Sequence, residues 1–147
     1  MCIVQSIDVF ATGLVSGVFL TGSFAVHPAA AGLDASSHFL LRQQLIQRLS
    51  KLMPPLMLLP VAACIAAFIF CPTSVSWPTN TLSGVLSLAT IGITTAVNVP
   101  LNRRFARWNP TALPCDWERS VRRWNAAHSA RTAAAVAAFV CAIFAGS

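Results

Sequence analysis

The sequence predicts an all-α integral membrane protein: a four-helix bundle with a short interfacial helix between spans one and two. Three observations predict it. Of 147 residues, 56% are hydrophobic and only 10% are charged, with a mean hydropathy of +0.68, whereas a soluble domain carries about 25% charged residues. Four apolar stretches, each near the length of a bilayer core, run through the chain. Nine of the ten Lys and Arg residues fall in two of the segments between those stretches. So few charges cannot clothe a soluble domain. The apolar content excludes a disordered chain, and five cysteines in this length are too few for a disulfide scaffold.

The chain reads as one membrane domain over residues 1–147, with spans at residues 7–26, 52–70, 82–101 and 124–145. The first span has Asp8 at its outer end. The second holds Pro54, Pro55 and Pro60 in its first half, and the third is uncharged. The fourth contains Arg131. Residues 1–8 carry no Lys or Arg, which argues against a cleaved signal peptide. Residues 36–51 form an amphipathic pattern, with Phe39, Leu41, Leu45, Ile46 and Leu49 opposite Arg42, Gln43, Gln47 and Lys51. This segment either lies on the interface or leads into span two.

Charge sets the expected orientation. Arg42, Arg48 and Lys51 precede span two, and Arg103, Arg104, Arg107, Arg119, Arg122 and Arg123 precede span four. The other loop and both tails carry no basic residue. The positive-inside rule puts both basic loops in the cytoplasm and both termini on the opposite face. With no sorting signal, the endoplasmic reticulum or another endomembrane is the expected location. The net charge of +6 therefore reports topology and not nucleic acid, for which no basic stretch interleaved with aromatics is present.

Several residues stand out within this frame. Gly13 and Gly17 are spaced for close helix packing, inside the bundle or across a homodimer. Ser87, Thr90, Thr94, Asn98 and Asn102 form a polar stripe on span three, which must face the bundle or a wet cavity. Pro100 lies between the two asparagines and frees a carbonyl near Ala96. On span four, Trp117, Trp124, His128 and Arg131 project within an arc of roughly 60°. Arg131 lies about 10 Å inside the span. An intramembrane arginine costs roughly 2.5–3.5 kcal/mol on insertion scales, which marks it as functional, paired or snorkelling. His27, His38 and His128 show no HxxxH or HxxH spacing, so no metal site is expected. The cysteines contain no CxxC pair, against a thiol–disulfide oxidoreductase. Cys2 and Cys71 share one side, which leaves a disulfide between them open.

The pieces Asn98-Val-Pro-Leu-Asn102, Trp108, Pro114, Asp116-Trp117 and Arg123-Trp124-x-x-x-His128-x-x-Arg131 together resemble the signature of the anthrone oxygenase family. These are small four-span membrane proteins of fungal aromatic polyketide pathways. The Gly-rich first span and Pro28 are also similar. The resemblance implies a monooxygenase-type oxidoreductase of secondary metabolism that converts an anthrone to an anthraquinone with molecular oxygen as co-substrate. It implies no flavin, haem or metal cofactor.

The implied chemistry fits the residues. An anthrone methylene is acidic because its carbanion is an aromatic phenolate. His128 suits the base and Arg131 the oxyanion. Trp117 and Trp124 suit stacking on a planar tricycle, and Asn98 and Asn102 suit its carbonyl or phenol groups. The expected partners are a small aromatic polyketide and the lipid bilayer, with a homodimer or a pathway enzyme on the basic loop left open. Two other readings stand beside the enzyme: a non-enzymatic scaffold for soluble pathway enzymes, and a small carrier of aromatic metabolites.

Overall fold

A computed structural model describes residues 2–73 and 76–146 of the chain. Ser74 and Val75, in the loop expected between spans two and three, lie outside the described residues. Span one consists of α1 (Ile3–Thr21), a π-helical segment (Gly22–Val26) and α2 (His27–Ala31). Span two is α3 (Ala35–Phe70). Span three is α4 (Trp77–Ile93), a second π-helical segment (Thr94–Asn98) and α5 (Val99–Phe105). Span four is α6 (Trp117–Ala145). All four are long and apolar enough to cross a bilayer, and the chain is a multi-pass membrane protein built as an all-helical bundle.

The amphipathic segment at 36–51 is helical, but it is not a separate interfacial element. It runs unbroken into span two as the first half of the 36-residue α3. Asp34 caps that helix by accepting a hydrogen bond from the Ser37 N–H at 3.1 Å. Hydrogen bonds from Ser37 hold the Asp34 carboxyl below the usual carboxylate range. At 1.5 Å per residue α3 is about 54 Å long, against a hydrocarbon core of about 30 Å. Its first turns therefore stand outside the apolar layer. Pro54, Pro55 and Pro60 leave carbonyls of the preceding turn without their helical donors, and helix α3 tolerates all three.

The bundle is apolar outside and small or polar inside. Phe10, Leu58, Ile65, Leu88 and Phe144 face outward. Gln5, Asp8, Thr12 and Ser16 of α1 are buried, as are Asn80, Ser83, Ser87 and Thr90 of α4. Lipid is as apolar as leucine, so membrane helices associate through close packing and hydrogen bonds. Helix α6 offers an alanine face, Ala135, Ala138, Ala142 and Ala145, all buried. Its carbonyls accept from both neighbours: Ser16 Oγ donates to Ala135 at 2.9 Å, Ser83 Oγ to Ala138 at 3.1 Å and Gln5 Nε2 to Ala142 at 2.7 Å. Gly13 meets the Phe139 ring of α6 in the same way, where an added Cβ would come within 3.1 Å. Gly17 has no such neighbour among the described residues. Cys2 and Cys71 form a disulfide that ties the start of α1 to the end of α3.

Candidate active site

The two π-helical segments share one cause. In each, the residue after the segment donates its N–H five residues back, His27 to Gly22 and Val99 to Thr94. The next residue is proline both times, Pro28 and Pro100. Proline has no N–H for the carbonyl four residues back, and its ring clashes with that carbonyl. The helix opens by one residue instead, a distortion frequent at functional sites. Both widened segments pack against α6 near His128 and Arg131.

His128 is fixed at both ring nitrogens. Arg131 donates to Nδ1 from Nε at 3.1 Å and from the Nη2 group at 2.9 Å. Arginine can only donate, so Nδ1 carries the lone pair and Nε2 the hydrogen. Nε2 then donates to the carbonyl of Phe19 at 3.2 Å. Arg131 also donates from Nη1 to Thr94 Oγ1 at 3.0 Å, and Thr94 in turn donates to the carbonyl of Thr90. The guanidinium lies 4.4 Å from the Phe19 ring centroid and 5.6 Å from that of Trp124. One N–H on each terminal nitrogen of Arg131 has no partner among the described residues.

Gly22 makes room for this arrangement. A Cβ there would stand 2.8 Å from His128 Nε2. Trp124 stacks on His128 at 12° and 5.1 Å. Its indole N–H donates to Asn102 Oδ1 at 2.7 Å, and its backbone carbonyl accepts from Asn98 Nδ2 at 3.2 Å. Two amides of span three thus hold one tryptophan of span four, by its ring and by its backbone.

Gly22, Asn102, Trp124, His128 and Arg131 line one side of a cavity of about 1120 Å³. Leu45, Ile46, Met53 and Met57 of α3 line another side, with Gly17 and Val18 of α1. Leu14, Leu58 and Thr95, also on its wall, are exposed, so the cavity opens sideways toward lipid. His27 projects into it, its ring edge-on to Trp124 at 5.0 Å and to His128 at 4.6 Å. Neither nitrogen of His27 is hydrogen-bonded among the described residues. Arg42 completes the wall, its guanidinium 4.7 Å from the Trp124 ring centroid.

A family model described as anthrone oxygenase matches residues 43–141. The chain belongs to the anthrone oxygenase family. No curated protein and no solved structure gives a significant match. The anthrone oxygenase match covers Asn98, Asn102, Trp117, Trp124, His128 and Arg131, and it begins one residue after Arg42.

Of the six residues singled out in the sequence, the structure gathers Asn102, Trp124, His128 and Arg131 on the cavity wall. Asn98 lies behind that wall, fully buried. Trp117 stands apart: its ring packs on Phe39 at 5.6 Å and His38 at 6.2 Å, within an aromatic cluster that includes Phe105 and Trp108. His27, Gly22 and Arg42 complete the site without having been singled out for it. For His27 a signal existed: a titratable residue beside a proline in an apolar span. Arg42 resembled every other charge on the polar face of an amphipathic segment, and only the fold turns it inward. Among the described residues no three His, Cys, Asp or Glu side chains converge as metal ligands.

Proposed function

We propose that this member of the anthrone oxygenase family oxidises an anthrone to an anthraquinone with molecular oxygen, inside the cavity and without a bound cofactor. One observation carries the reading: two imidazoles and two guanidiniums surround Trp124 on the wall of a largely apolar cavity that opens to lipid. A tricyclic phenol partitions into the bilayer and reaches such an opening directly, and so does oxygen, a nonpolar gas.

The tricycle lies beside Trp124, between it and the apolar side chains Leu45, Ile46, Met53 and Met57 of the facing wall. Its carbonyl oxygen takes the two N–H groups that Arg131 leaves unengaged, which favours the phenolate over the neutral ketone. His27, the imidazole not tied to protein, accepts the methylene proton. His128 has its lone pair on Arg131 and its N–H on the Phe19 carbonyl, so it holds the guanidinium in place instead of acting as the base assigned to it from the sequence. The phenolate passes one electron to oxygen. The resulting radical and superoxide combine at the former methylene carbon, and protonated His27 returns its proton to give a hydroperoxide. Loss of the second hydrogen from that carbon, with cleavage of the O–O bond, yields the quinone carbonyl and one water.

Oxygen-18 gas tests this balance. The purified protein should place one labelled oxygen in each quinone and the other in water, faster than the enzyme-free reaction. Quinone formed no faster than without protein contradicts the reading.

Gly22→Ala is a second check. The added methyl meets a histidine pinned at both nitrogens, so His128 and Arg131 must shift together. A misplacement of about 1 Å costs up to about 10²-fold in rate. We expect at least a tenfold loss of turnover in protein that inserts and purifies normally; full activity would remove the need for this packing.

We also propose that the basic end of the bundle is cytoplasmic and both termini are lumenal. The split of basic residues supports this, and so does the Cys2–Cys71 disulfide at the end opposite the basic loops, since disulfides persist in oxidising compartments. A C-terminal tag should survive protease in intact microsomes; digestion without detergent reverses the orientation.

A further inference from the structure

Arg42 has no use in the reaction above, and its surroundings call for a ligand. It is buried on α3, with its guanidinium 4.7 Å from the Trp124 ring and 5.4 Å from the Phe105 ring. These ring contacts supply no hydrogen-bond acceptor in the plane of the ring to its N–H groups. Of five N–H bonds, only one on Nη2 finds a partner among the described residues, Asn125 Oδ1 at a long 3.4 Å, and the buried Nε–H has none.

Among the described residues no carboxylate answers either buried arginine. The chain holds only four acidic residues. Asp116 pairs with Arg104 and Glu118 with Arg122, both pairs at the surface. Asp34 is exposed at the start of α3. Asp8 lies 19 residues before His27 in the same span, about 28 Å along the helix. Arg42 and Arg131 therefore bring two positive charges to one indole in a largely apolar cavity, with no counter-charge among the described residues. A buried charge without a partner is costly, and an incoming anion relieves that cost.

We propose that Arg42 is a second oxyanion site, which holds an acidic group on an apolar body while the reacting oxygen sits at Arg131. The proposal rests on the proposed function for the identity of that body. Both guanidiniums lie against the same Trp124 ring, within the reach of one planar ligand, so one tricycle can set its carbonyl oxygen at Arg131 and a ring carboxylate at Arg42. A phospholipid phosphate entering sideways offers the same chemistry.

The test is binding, with the full-length protein in phosphatidylcholine nanodiscs and a non-reactive quinone as probe. Wild-type protein should bind anthraquinone-2-carboxylate at least about tenfold tighter than its methyl ester, a difference of about 1.4 kcal/mol. Arg42→Gln should abolish the preference. Arg42→Lys should keep part of it, since lysine preserves the charge without the planar fork. Arg104→Gln, at the surface pair, should leave it intact. Where Arg42→Gln fails to insert, wild type and Arg42→Lys still decide the matter.

Discs containing phosphatidic acid separate the two sources. Loss of one bound lipid phosphate in Arg42→Gln, without any preference for the acid, assigns the site to a headgroup. Equal affinity for acid and ester, together with bound lipid phosphate that does not depend on Arg42, overturns the proposal. Neither readout needs oxygen uptake, so failure of anthrone oxidation with an intact Arg42-dependent preference removes the reaction and keeps the site.

Discussion

His27→Ala should lower the catalysed rate by about 10²–10⁴-fold, the range for loss of a general base. The protein should still insert, because the ring makes no hydrogen bond to the protein among the described residues. With His27 present, the catalysed rate should rise with pH, since only a neutral imidazole accepts the methylene proton, and then level off. His27→Ala should flatten that profile. His128→Ala should also be slow, for a different reason: Arg131 loses the acceptor of two of its hydrogen bonds, so turnover falls while the pH profile keeps its shape. Free anthrones ionise and oxidise faster at high pH, so the enzyme-free rate must be subtracted at each pH. A flat profile in His128→Ala and an unchanged one in His27→Ala would exchange the two roles and restore His128 as the base.

Arg131→Ala should cost about 10²–10³-fold, as expected when a donor to a developing oxyanion is removed from a site shielded from water. Arg131→Lys should recover only part of this. A lysine keeps the charge but cannot hold His128 Nδ1 and Thr94 Oγ1 while presenting two further N–H groups to the ligand. Membrane insertion should improve slightly in Arg131→Ala, because the substitution removes a charge from an apolar span. Loss of activity in a protein that inserts at least as well as wild type therefore separates catalysis from folding. Steady-state oxygen uptake, read with the amount of purified protein, checks both.

Much of this fold was legible in the sequence because bilayer thickness and loop charge constrain a membrane chain strongly. Four apolar stretches became four helices. The polar stripe on span three, Ser87, Thr90 and Asn98, became buried contacts. Of the two placements open for residues 36–51, the structure takes the one that leads into span two, without a separate interfacial helix. Amphipathic periodicity marks a helix but cannot mark where one helix becomes another, and α3 carries the pattern straight into the bilayer. Pro100 was readable as a helix distortion. Its consequence, a widened turn matched by a second at Pro28, needs the two spans side by side. Trp117 shares a helix face with Trp124 yet misses the cavity, because a face of α6 two turns long meets different neighbours at each end. His27 and Arg42 lie outside the specific part of the family signature at residues 98–131, and only the packing of spans one and two against span four brings them to Trp124.

The most direct measurement is oxygen uptake by purified protein in nanodiscs supplied with an anthrone, compared between wild type and the His27→Ala/Arg131→Ala double variant. The wild type should consume one oxygen molecule per anthrone well above the enzyme-free rate, and the double variant should fall to that rate. A double variant that consumes oxygen as fast as wild type would show that the chemistry takes place somewhere other than this cavity.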